Sequence, residues 1–276
     1  MEHFFKNPET LVNKLKNEGY VIGERLSIAL YLALAKGKPL FLEGEAGVGK
    51  TEIAKTLASI LKTPLIRLQC YEGLDISQSS YEWNYGKQLI SIQSTDNKNL
   101  DLFSEDFLIE RPLLKALRQK PGERAVLLID ELDRADEAFE AYLLEFLSDW
   151  QITIPEIGSI KTEEPPIVVI TSNRTREVHD ALKRRCYYSW VDYPDKDTEL
   201  EILKHRVPQT GPTLQTELVN FVQRLREEEL YKSPGIAETI DWAEALVELN
   251  CVALDPQTID STIGVLLKYQ DDIAKI

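Results

Sequence analysis

One glycine-rich stretch of the sequence has the residue types and spacing that suit phosphate binding. Residues 44–51 read GEAGVGKT, which fits the pattern G-x-x-x-x-G-K-[ST] in full. Gly44 and Gly49 allow the backbone to curl so that successive N–H groups point at phosphate oxygens. Lys50 can reach the β- and γ-phosphates, and Thr51 offers a hydroxyl to Mg²⁺. The pattern predicts that ATP or GTP binds here together with Mg²⁺. The residues expected to contact the nucleotide are Gly44, Glu45, Ala46, Gly47, Val48, Gly49, Lys50 and Thr51.

Two adjacent carboxylates end an apolar stretch, AVLLIDE, at residues 125–131. Open parallel sheets bind ligands outside the carboxyl ends of their strands. If this strand lies beside the strand that precedes the loop, Asp130 faces the Mg²⁺ ion and Glu131 polarises the attacking water. Alone, such a strand could simply exit into solvated acids, but the complete phosphate loop favours catalysis. Asp133 and Asp136 are expected to be solvated loop or helix-start residues.

Apolar strands alternate with helices up to Pro194, which predicts a largely parallel sheet covered on both faces. The predicted strands are 39–44, 64–70, 125–131, 167–173 and 187–193. After Pro194 only helical periodicity follows, at 195–206, 214–230, 236–249 and 256–274. We therefore predict an α/β nucleotide-binding domain over 1–194 and a small all-helical domain over 195–276.

Two further segments alternate in a way that predicts β-hairpins. These are residues 81–93 and residues 151–161, the second turning at Gly158. In the first hairpin one strand face would carry Tyr81, Trp83 and Tyr85. Those rings could grip a client protein, or they could be the packed face of an ordinary hairpin.

Composition narrows the classes of partner. The formal net charge is −14 and the sequence pI is about 4.8, so the chain repels phosphate backbones at long range and nucleic acid is not expected as a partner. No apolar run reaches the roughly 18–20 residues that span a bilayer, and the first ten residues lack the features of a signal peptide. We expect a cytoplasmic protein without membrane contact.

Four motifs occur in the order found in the AAA+ ATPases, and the chain resembles their MoxR family. They are GEAGVGKT, LLIDE, ITSN and ALKRRC. Four longer phrases resemble the CoxD-like branch, which is associated with carbon monoxide dehydrogenase maturation: RLQCYEGLD, YEWNYGKQLISI, FLIERPLLKAL and SPGIAETIDWAEAL. The resemblance covers nearly the whole chain. It implies a P-loop AAA+ sheet flanked by helices and followed by a helical lid. The two predicted hairpins resemble the helix-2 insert and the pre-sensor hairpin of this clade.

The resemblance also implies roles for particular residues. Asn173 would hold the attacking water and read the γ-phosphate, although it could also be a polar residue that merely ends a buried strand. Arg185 resembles an arginine finger supplied to a neighbouring subunit, and we favour it over the adjacent Arg184. A finger acting in trans requires a ring, and the family suggests a hexamer. Val21 and Ile22 resemble the segment that closes over adenine, although an ordinary helix lead-in fits them as well.

One departure concerns the lid. Many AAA+ proteins carry a sensor arginine early in the third lid helix, whereas this sequence has Gly235, Ala237 and Glu238 in that region. Coupling between the lid and the γ-phosphate is therefore expected to be weakened or to use another residue.

The resemblance implies a Mg-ATP-dependent remodelling ATPase that acts on a protein client, with a von Willebrand A-domain partner. Three other functions compete with it. The first is an AAA+ loader or motor acting on nucleic acid, which the acidic charge disfavours. The second is a non-hydrolysing switch, which the intact Lys50, Glu131 and Asn173 disfavour. The third is a small-molecule kinase, which the separate helical region and the arginine finger disfavour.

Overall fold

The computed structural model describes residues 5–94, 101–120 and 122–276. Up to Pro194 the chain mixes helices and strands. The helices of this part are α1 (Pro8–Asn17), α2 (Glu24–Lys36), α3 (Lys50–Leu61), α4 (Ile76–Ser79), α5 (Tyr85–Ser94), α6 (Pro112–Leu117), α7 (Glu137–Asp149) and α8 (Asp180–Lys183). The strands are β1 (Leu40–Glu43), β2 (Leu65–Gln69), β3 (Tyr81–Trp83), β4 (Leu108–Glu110), β5 (Val126–Asp130), β6 (Gln151–Ile154), β7 (Gly158–Lys161), β8 (Ile167–Ser172) and β9 (Tyr187–Trp190).

Five strands form a parallel sheet in the order β2-β5-β8-β1-β9, which confirms the predicted α/β fold. The sequence argument for Asp130 took the strand that ends there to be a neighbour of the strand before the loop. In the structure β8 lies between these two strands, β5 and β1. All five strands nevertheless run in one direction. Their carboxyl ends therefore meet at one edge of the sheet, where Glu43 is opposite Ser172 and Gln69 is opposite Asp130.

The interior strand β5 is buried on both faces, as expected for a parallel sheet. Successive side chains of a strand point to opposite faces. Leu127 and Ile129 belong to a core that includes residues of α6 and α7, whereas Val126 and Leu128 belong to a second core with α1, α2 and α3. Helices on both faces thus hold the strand ends in place.

After Pro194 the described chain is entirely helical. The helices are α9 (Lys196–Arg206), α10 (Pro212–Glu227), α11 (Ile236–Glu248), α12 (Pro256–Leu266) and α13 (Gln270–Ile273). They enclose a core of their own around the fully buried Trp242, whose indole N–H donates to the Thr262 hydroxyl at 2.8 Å. The division into domains 1–194 and 195–276 stays a prediction. In the described ranges no helix is long and apolar enough to cross a bilayer.

The structure confirms one predicted hairpin and corrects the other. Strands β6 and β7 pair in antiparallel fashion. Gly158, which follows the turn between them and begins β7, has a φ of 106°. The hairpin predicted over 81–93 is wrong, because β3 pairs with the distant β4 and α5 occupies the rest of that segment. The Asn84 side chain explains the difference: its oxygen accepts the N–H of Lys87 at 2.9 Å and so starts a helix.

The aromatic face predicted for that hairpin is consequently split. Trp83 is buried and meets Phe103 edge to face at 5.3 Å, and Tyr81 packs against the same core. Tyr85 lies in α5 with 61% of its surface exposed. For Tyr81 and Trp83 the structure therefore supports the packing interpretation.

Candidate nucleotide-binding and hydrolysis site

The glycine-rich loop connects the end of β1 to the start of α3, the arrangement that a phosphate loop requires. Gly47 and Gly49 have φ values of 79° and 89°, which side chains rarely allow. Gly44 is crowded as well, since an added Cβ would lie 2.1 Å from the carbonyl oxygen of Val191. These glycines give the loop its curl at the N-terminal end of α3, where N–H groups and the helix dipole favour anions.

Lys50 is buried in the loop without a carboxylate partner among the described residues. Its ammonium donates to the carbonyl oxygens of Gly44 at 2.7 Å and Glu45 at 2.5 Å. Burial lowers its pKa, while nearby carboxylates, first among them that of Asp133, act in the opposite direction. A phosphate group would supply the anionic partner that this lysine lacks.

Asp130 ends β5 and meets Thr51 across the sheet edge. The Thr51 hydroxyl donates to Asp130 Oδ1 at 3.0 Å, and the Thr171 hydroxyl donates to the same oxygen at 2.5 Å. The other oxygen, Oδ2, accepts two bonds from the Arg67 guanidinium, at 3.0 Å from Nε and 2.6 Å from Nη2. The sequence analysis missed Thr171 and Arg67, because only the strand order reveals that β8 and β2 flank β5.

Mg²⁺ keeps several water ligands and is usually held by one or two carboxylates together with substrate phosphates. The hydroxyl of Thr51 and the carboxylate of Asp130 fit this requirement, since both are oxygen ligands and they lie within hydrogen-bonding distance of each other. The predicted metal residues therefore form a suitable pair.

Glu131 follows in a left-handed conformation, with φ of 55° and ψ of 51°. Its carboxylate accepts hydrogen bonds from Gln69 at 3.0 Å, Arg134 at 3.0 Å and Asn173 at 3.4 Å, and its backbone N–H donates to Thr171 at 2.9 Å. Sparsely populated backbone conformations of this kind concentrate at functional sites. The structure thus brings together Glu131 and Asn173, which the sequence places on different strands.

Asp133 differs from expectation. It is not solvated but buried, and it accepts the backbone N–H groups of Asn173 at 3.1 Å and Thr175 at 2.9 Å as well as the Thr175 hydroxyl at 2.7 Å. Burial opposes its charge, yet these hydrogen bonds outweigh burial and lower its pKa. Asp133 therefore holds the segment that carries Asn173. Asp136 is a helix-start residue as predicted, because its side chain accepts the N–H of Phe139 at 2.9 Å.

One cavity lies between the loop, the sheet edge and the C-terminal helices. Its lining includes the polar residues Lys50, Thr51, Asp130, Glu131, Thr171 and Asn173. From the predicted loop set it includes Ala46, Gly47, Val48, Gly49, Lys50 and Thr51. Gly44 and Glu45 are not among the lining residues and instead hold Lys50. Of the predicted adenine segment Val21 lines the cavity beside Tyr20, whereas Ile22 packs into the core.

Helix α11 docks directly on the phosphate loop. The N–H of Ala237 donates to the carbonyl oxygen of Gly47 at 3.1 Å, and a Cβ on Gly235 would lie 2.8 Å from that carbonyl group. Glu238 accepts the N–H of Gly235 at 3.0 Å. Where the family resemblance would place a sensor arginine, the structure therefore has a close backbone contact between α11 and the loop. A cation reaches the cavity from α9 instead: Arg206, which sequence analysis missed.

Arg184 and Arg185 follow α8 and are exposed, and neither lines the cavity of its own chain. Arg185 donates from Nε to the Ser148 hydroxyl at 2.8 Å and from Nη1 to the carbonyl oxygen of Ala181 at 3.1 Å. No hydrogen bond or ion pair involves the Arg184 side chain within the described part of the chain. A role for either arginine would therefore have to be played outside this chain's own cavity.

A phosphate loop at the carboxyl edge of a parallel sheet, with a carboxylate pair opposite, defines a P-loop nucleotide-binding protein. Comparison with known families is more specific. The chain belongs to the AAA domain family of the dynein-related subfamily, whose model matches residues 39–186, just over half of the chain. The family and the fold together indicate an ATPase.

The proteins similar to this chain include uncharacterized relatives and a solved structure. An uncharacterized protein of Staphylococcus epidermidis is 27% identical over 223 residues, which are 78% of each chain. An uncharacterized protein of Staphylococcus aureus is 27% identical over 244 residues, covering 85% of this chain and 86% of that one. A mutant of RuvB from Thermotoga maritima superposes with a TM-score of 0.52 at 20% identity, covering 97% of this chain and 74% of the other. This last likeness shows the fold.

Proposed function

We propose that this protein is a Mg-ATP-dependent ATPase of MoxR type that remodels a protein client during maturation of a protein or metalloenzyme complex. The observation that carries the proposal is the meeting of three groups at one cavity. Lys50 offers an unpaired cation to phosphate, Thr51 and Asp130 offer oxygen ligands to Mg²⁺, and Glu131 lies beside Asn173.

The chain's residues would divide the work of binding as follows. The loop N–H groups and Lys50 hold the phosphates, while Thr51 and Asp130 hold Mg²⁺. The metal supplies positive charge that neutralises the phosphate oxygens. Val21 and Tyr20 also line the cavity, and the base would lie against them. Burial raises the pKa of Tyr20 above its ordinary range, so its hydroxyl stays neutral.

Hydrolysis would use Glu131 as the base. Its carboxylate takes a proton from a water molecule while that water's oxygen bonds to the γ-phosphorus, and the bond from the γ-phosphorus to the bridging oxygen breaks to release ADP. Asn173, 3.4 Å from the Glu131 carboxylate, would orient the same water. Asp133 acts indirectly by fixing the backbone of Asn173.

The finer parts of the proposal rest on the four sequence phrases that resemble the CoxD-like branch. They support a ring, with the hexamer as the family's usual size, and a partner with a von Willebrand A domain. We further propose a cytoplasmic protein in which the all-helical residues 195–276 act as a lid on residues 1–194. The client itself would be a protein.

Action on nucleic acid is the alternative, and the fold shared with RuvB at 20% identity is compatible with either function. The net charge of −14 opposes it, because nucleic-acid affinity depends on neutralising phosphates with basic side chains. ATPase turnover measured with and without duplex and single-stranded DNA would decide. Strong stimulation of turnover by DNA would favour action on nucleic acid. Unchanged turnover would favour remodelling of a protein client.

Two substitutions test the core of the proposal. Lys50→Ala should abolish ATP binding in calorimetric titration, because the phosphates would then meet backbone amides alone.

Glu131→Gln should still bind Mg-ATP but should hydrolyse it about 10²–10⁴-fold more slowly, since the amide keeps the shape and loses the base. Unchanged ATP affinity in the first variant, or wild-type turnover in the second, would contradict the assigned roles.

The Glu131→Gln variant also offers a test of the partner. Held in ATP, it should retain a von Willebrand A-domain protein and the client on an affinity column. Lys50→Ala, which cannot enter the ATP state, is the matched control and should retain neither. Equal recovery with both variants would show that the association does not depend on ATP.

A further inference from the structure

Two cationic side chains line the cavity among the described residues, and they come from different parts of the chain. Lys50 belongs to the phosphate loop, whereas Arg206 ends helix α9 of the C-terminal region. The carboxylates that line the same space are Glu52, Asp130, Glu131 and Asp241. A polyphosphate would add negative charge to a space that already holds more carboxylates than cations. Any cation that can contact the phosphates therefore contributes to their binding.

Arg206 is fixed close to the phosphate loop. Its Nη1 donates to Glu52 Oε1 at 2.8 Å, although the two residues lie 154 positions apart in the sequence. Glu52 directly follows Thr51 in the first turn of α3. The guanidinium is thus held beside the helix end whose N–H groups face phosphate in a loop of this type. Its side chain is 43% exposed, so part of it remains open to a ligand.

Arg206 can leave Glu52 without leaving that carboxylate alone. The other carboxylate oxygen, Oε2, already accepts a bond from Lys55 at 3.1 Å. Within the described chain the other N–H donors of Arg206 have no recorded acceptor. They are free to bind incoming oxygens.

We propose that Arg206 binds the phosphate chain of the nucleotide, exchanging Glu52 for phosphate oxygens when the nucleotide enters. The proposal rests on nucleotide binding at this cavity. A planar guanidinium suits this exchange because it can make paired hydrogen bonds with carboxylate or with phosphate. Arg206 then provides, from α9, the positive charge that Gly235, Ala237 and Glu238 do not provide from α11.

The competing explanation is that the ion pair between Arg206 and Glu52 is only a structural link, or strap, between the C-terminal helices and α3. The structure offers a matched control for that explanation. Lys16 of α1 and Glu201 of α9 form a second ion pair between the C-terminal helices and the rest of the chain, and neither residue lines the cavity. Breaking this second pair removes a strap of the same kind and leaves the cavity charges unchanged.

Calorimetric titration with Mg-ATP distinguishes the two explanations. Arg206→Ala should bind about tenfold more weakly, a loss of about 1.4 kcal/mol. Glu52→Gln should bind as tightly as the wild type or more tightly, because it removes a carboxylate near the phosphates and releases Arg206. Glu201→Gln should match the wild type. Thermal unfolding without nucleotide shows whether each variant is folded.

Three outcomes would overturn the inference: wild-type affinity in Arg206→Ala, equal losses in Arg206→Ala and Glu52→Gln, or a comparable loss in Glu201→Gln. The last two would identify a strap. If Arg206→Ala does not fold, the sign of the Glu52→Gln change still decides, because weaker binding contradicts an exchange. Failure of the wild type itself to bind ATP would instead contradict the proposed function.

Discussion

At the residue scale, the two carboxylates at the end of β5 are held differently. Asp130 is buried and accepts four hydrogen bonds, two of them from Arg67, which fix its orientation beside Thr51. Glu131 is more open, and of its partners Arg134 is exposed and Gln69 is half-buried. A residue that positions a metal benefits from rigidity, whereas a base must be able to approach water.

Asp133 gives a prediction at this scale. Asp133→Asn places an amide opposite three donors, so we expect the free energy of unfolding at pH 7 to fall by about 1–3 kcal/mol. The lowered pKa of Asp133 adds a pH dependence. A carboxyl whose folded pKa lies below its unfolded value of about 3.9 stabilises the protein above that value and loses this contribution as pH falls through the folded pKa. The difference between wild type and variant should therefore shrink below about pH 4.

Urea unfolding across pH measures this difference, and Asp136→Asn is its control. Asp136 only caps α7, and asparagine caps helices about as well as aspartate. Its stability should therefore change little. A loss in Asp133→Asn no larger than in Asp136→Asn would show that the buried hydrogen bonds of Asp133 contribute little.

At the element scale, α11 contacts the phosphate loop where the family resemblance would place a sensor arginine. The segment before α11 is held from behind by Arg226, which donates to the carbonyl oxygen of Pro234 at 2.8 Å and pairs with the buried Glu199 at 2.7 Å. Gly235 is thereby pressed against Gly47. A lid joined to the loop by backbone contact can respond to changes in loop conformation without an arginine.

Gly235→Ala tests this contact. The φ of Gly235 is −83°, so backbone strain is not expected, but the added Cβ would meet the backbone of Gly47 at 2.8–2.9 Å. We expect α11 to move away, the bond from Ala237 to Gly47 to break, and ATP affinity to fall about tenfold. Gly264→Ala in α12 is the control, because no atom lies within 4 Å of its added Cβ. It should stabilise the protein by about 0.5–1 kcal/mol and leave affinity unchanged; unaltered affinity in Gly235→Ala would refute the coupling.

At the scale of the whole molecule, the cavity is lined by the phosphate loop and the sheet edge on one part of the chain and by α9 and α11 on the other. Two cores lie on the faces of the sheet and the third lies within the C-terminal helices. Arg184 and Arg185 lie on the surface outside this cavity. If a ring forms as proposed, one of these arginines would serve the neighbouring subunit's nucleotide.

Mixing inactive subunits tests that arrangement. Arg185→Ala should bind ATP normally but lose hydrolysis in the assembled ring, because a finger stabilises charge that develops in the transition state, so that kcat falls more than affinity. Combined with Lys50→Ala subunits, it should regain some activity where an intact site meets an intact finger. Arg184→Ala is the matched variant. A mixture that stays inactive in demonstrated mixed rings would exclude a trans role for Arg185, unless all sites must fire together.

The sequence by itself determined the phosphate loop, the carboxylate pair and the five strands of the parallel sheet. The reason is that each depends on neighbouring residues. The eight residues 44–51 carry the loop's chemistry, and the buried strands reveal themselves by continuous apolar runs. Asn173 followed from the family order of motifs, and its place beside Glu131 agrees with the predicted role, which stays a prediction.

The tertiary structure alone decided the partners of those residues, because they come from distant segments. Arg67 reaches Asp130 across 63 positions, and Arg206 reaches Glu52 across 154. The burial of Asp133 likewise depends on a loop 42 residues away. The error at 81–93 has two causes. The cap at Asn84 starts a helix, and β3 pairs with the distant β4 rather than with the residues that follow it. Alternation predicts a strand only where a partner strand is available, and strand pairing is a property of the folded chain.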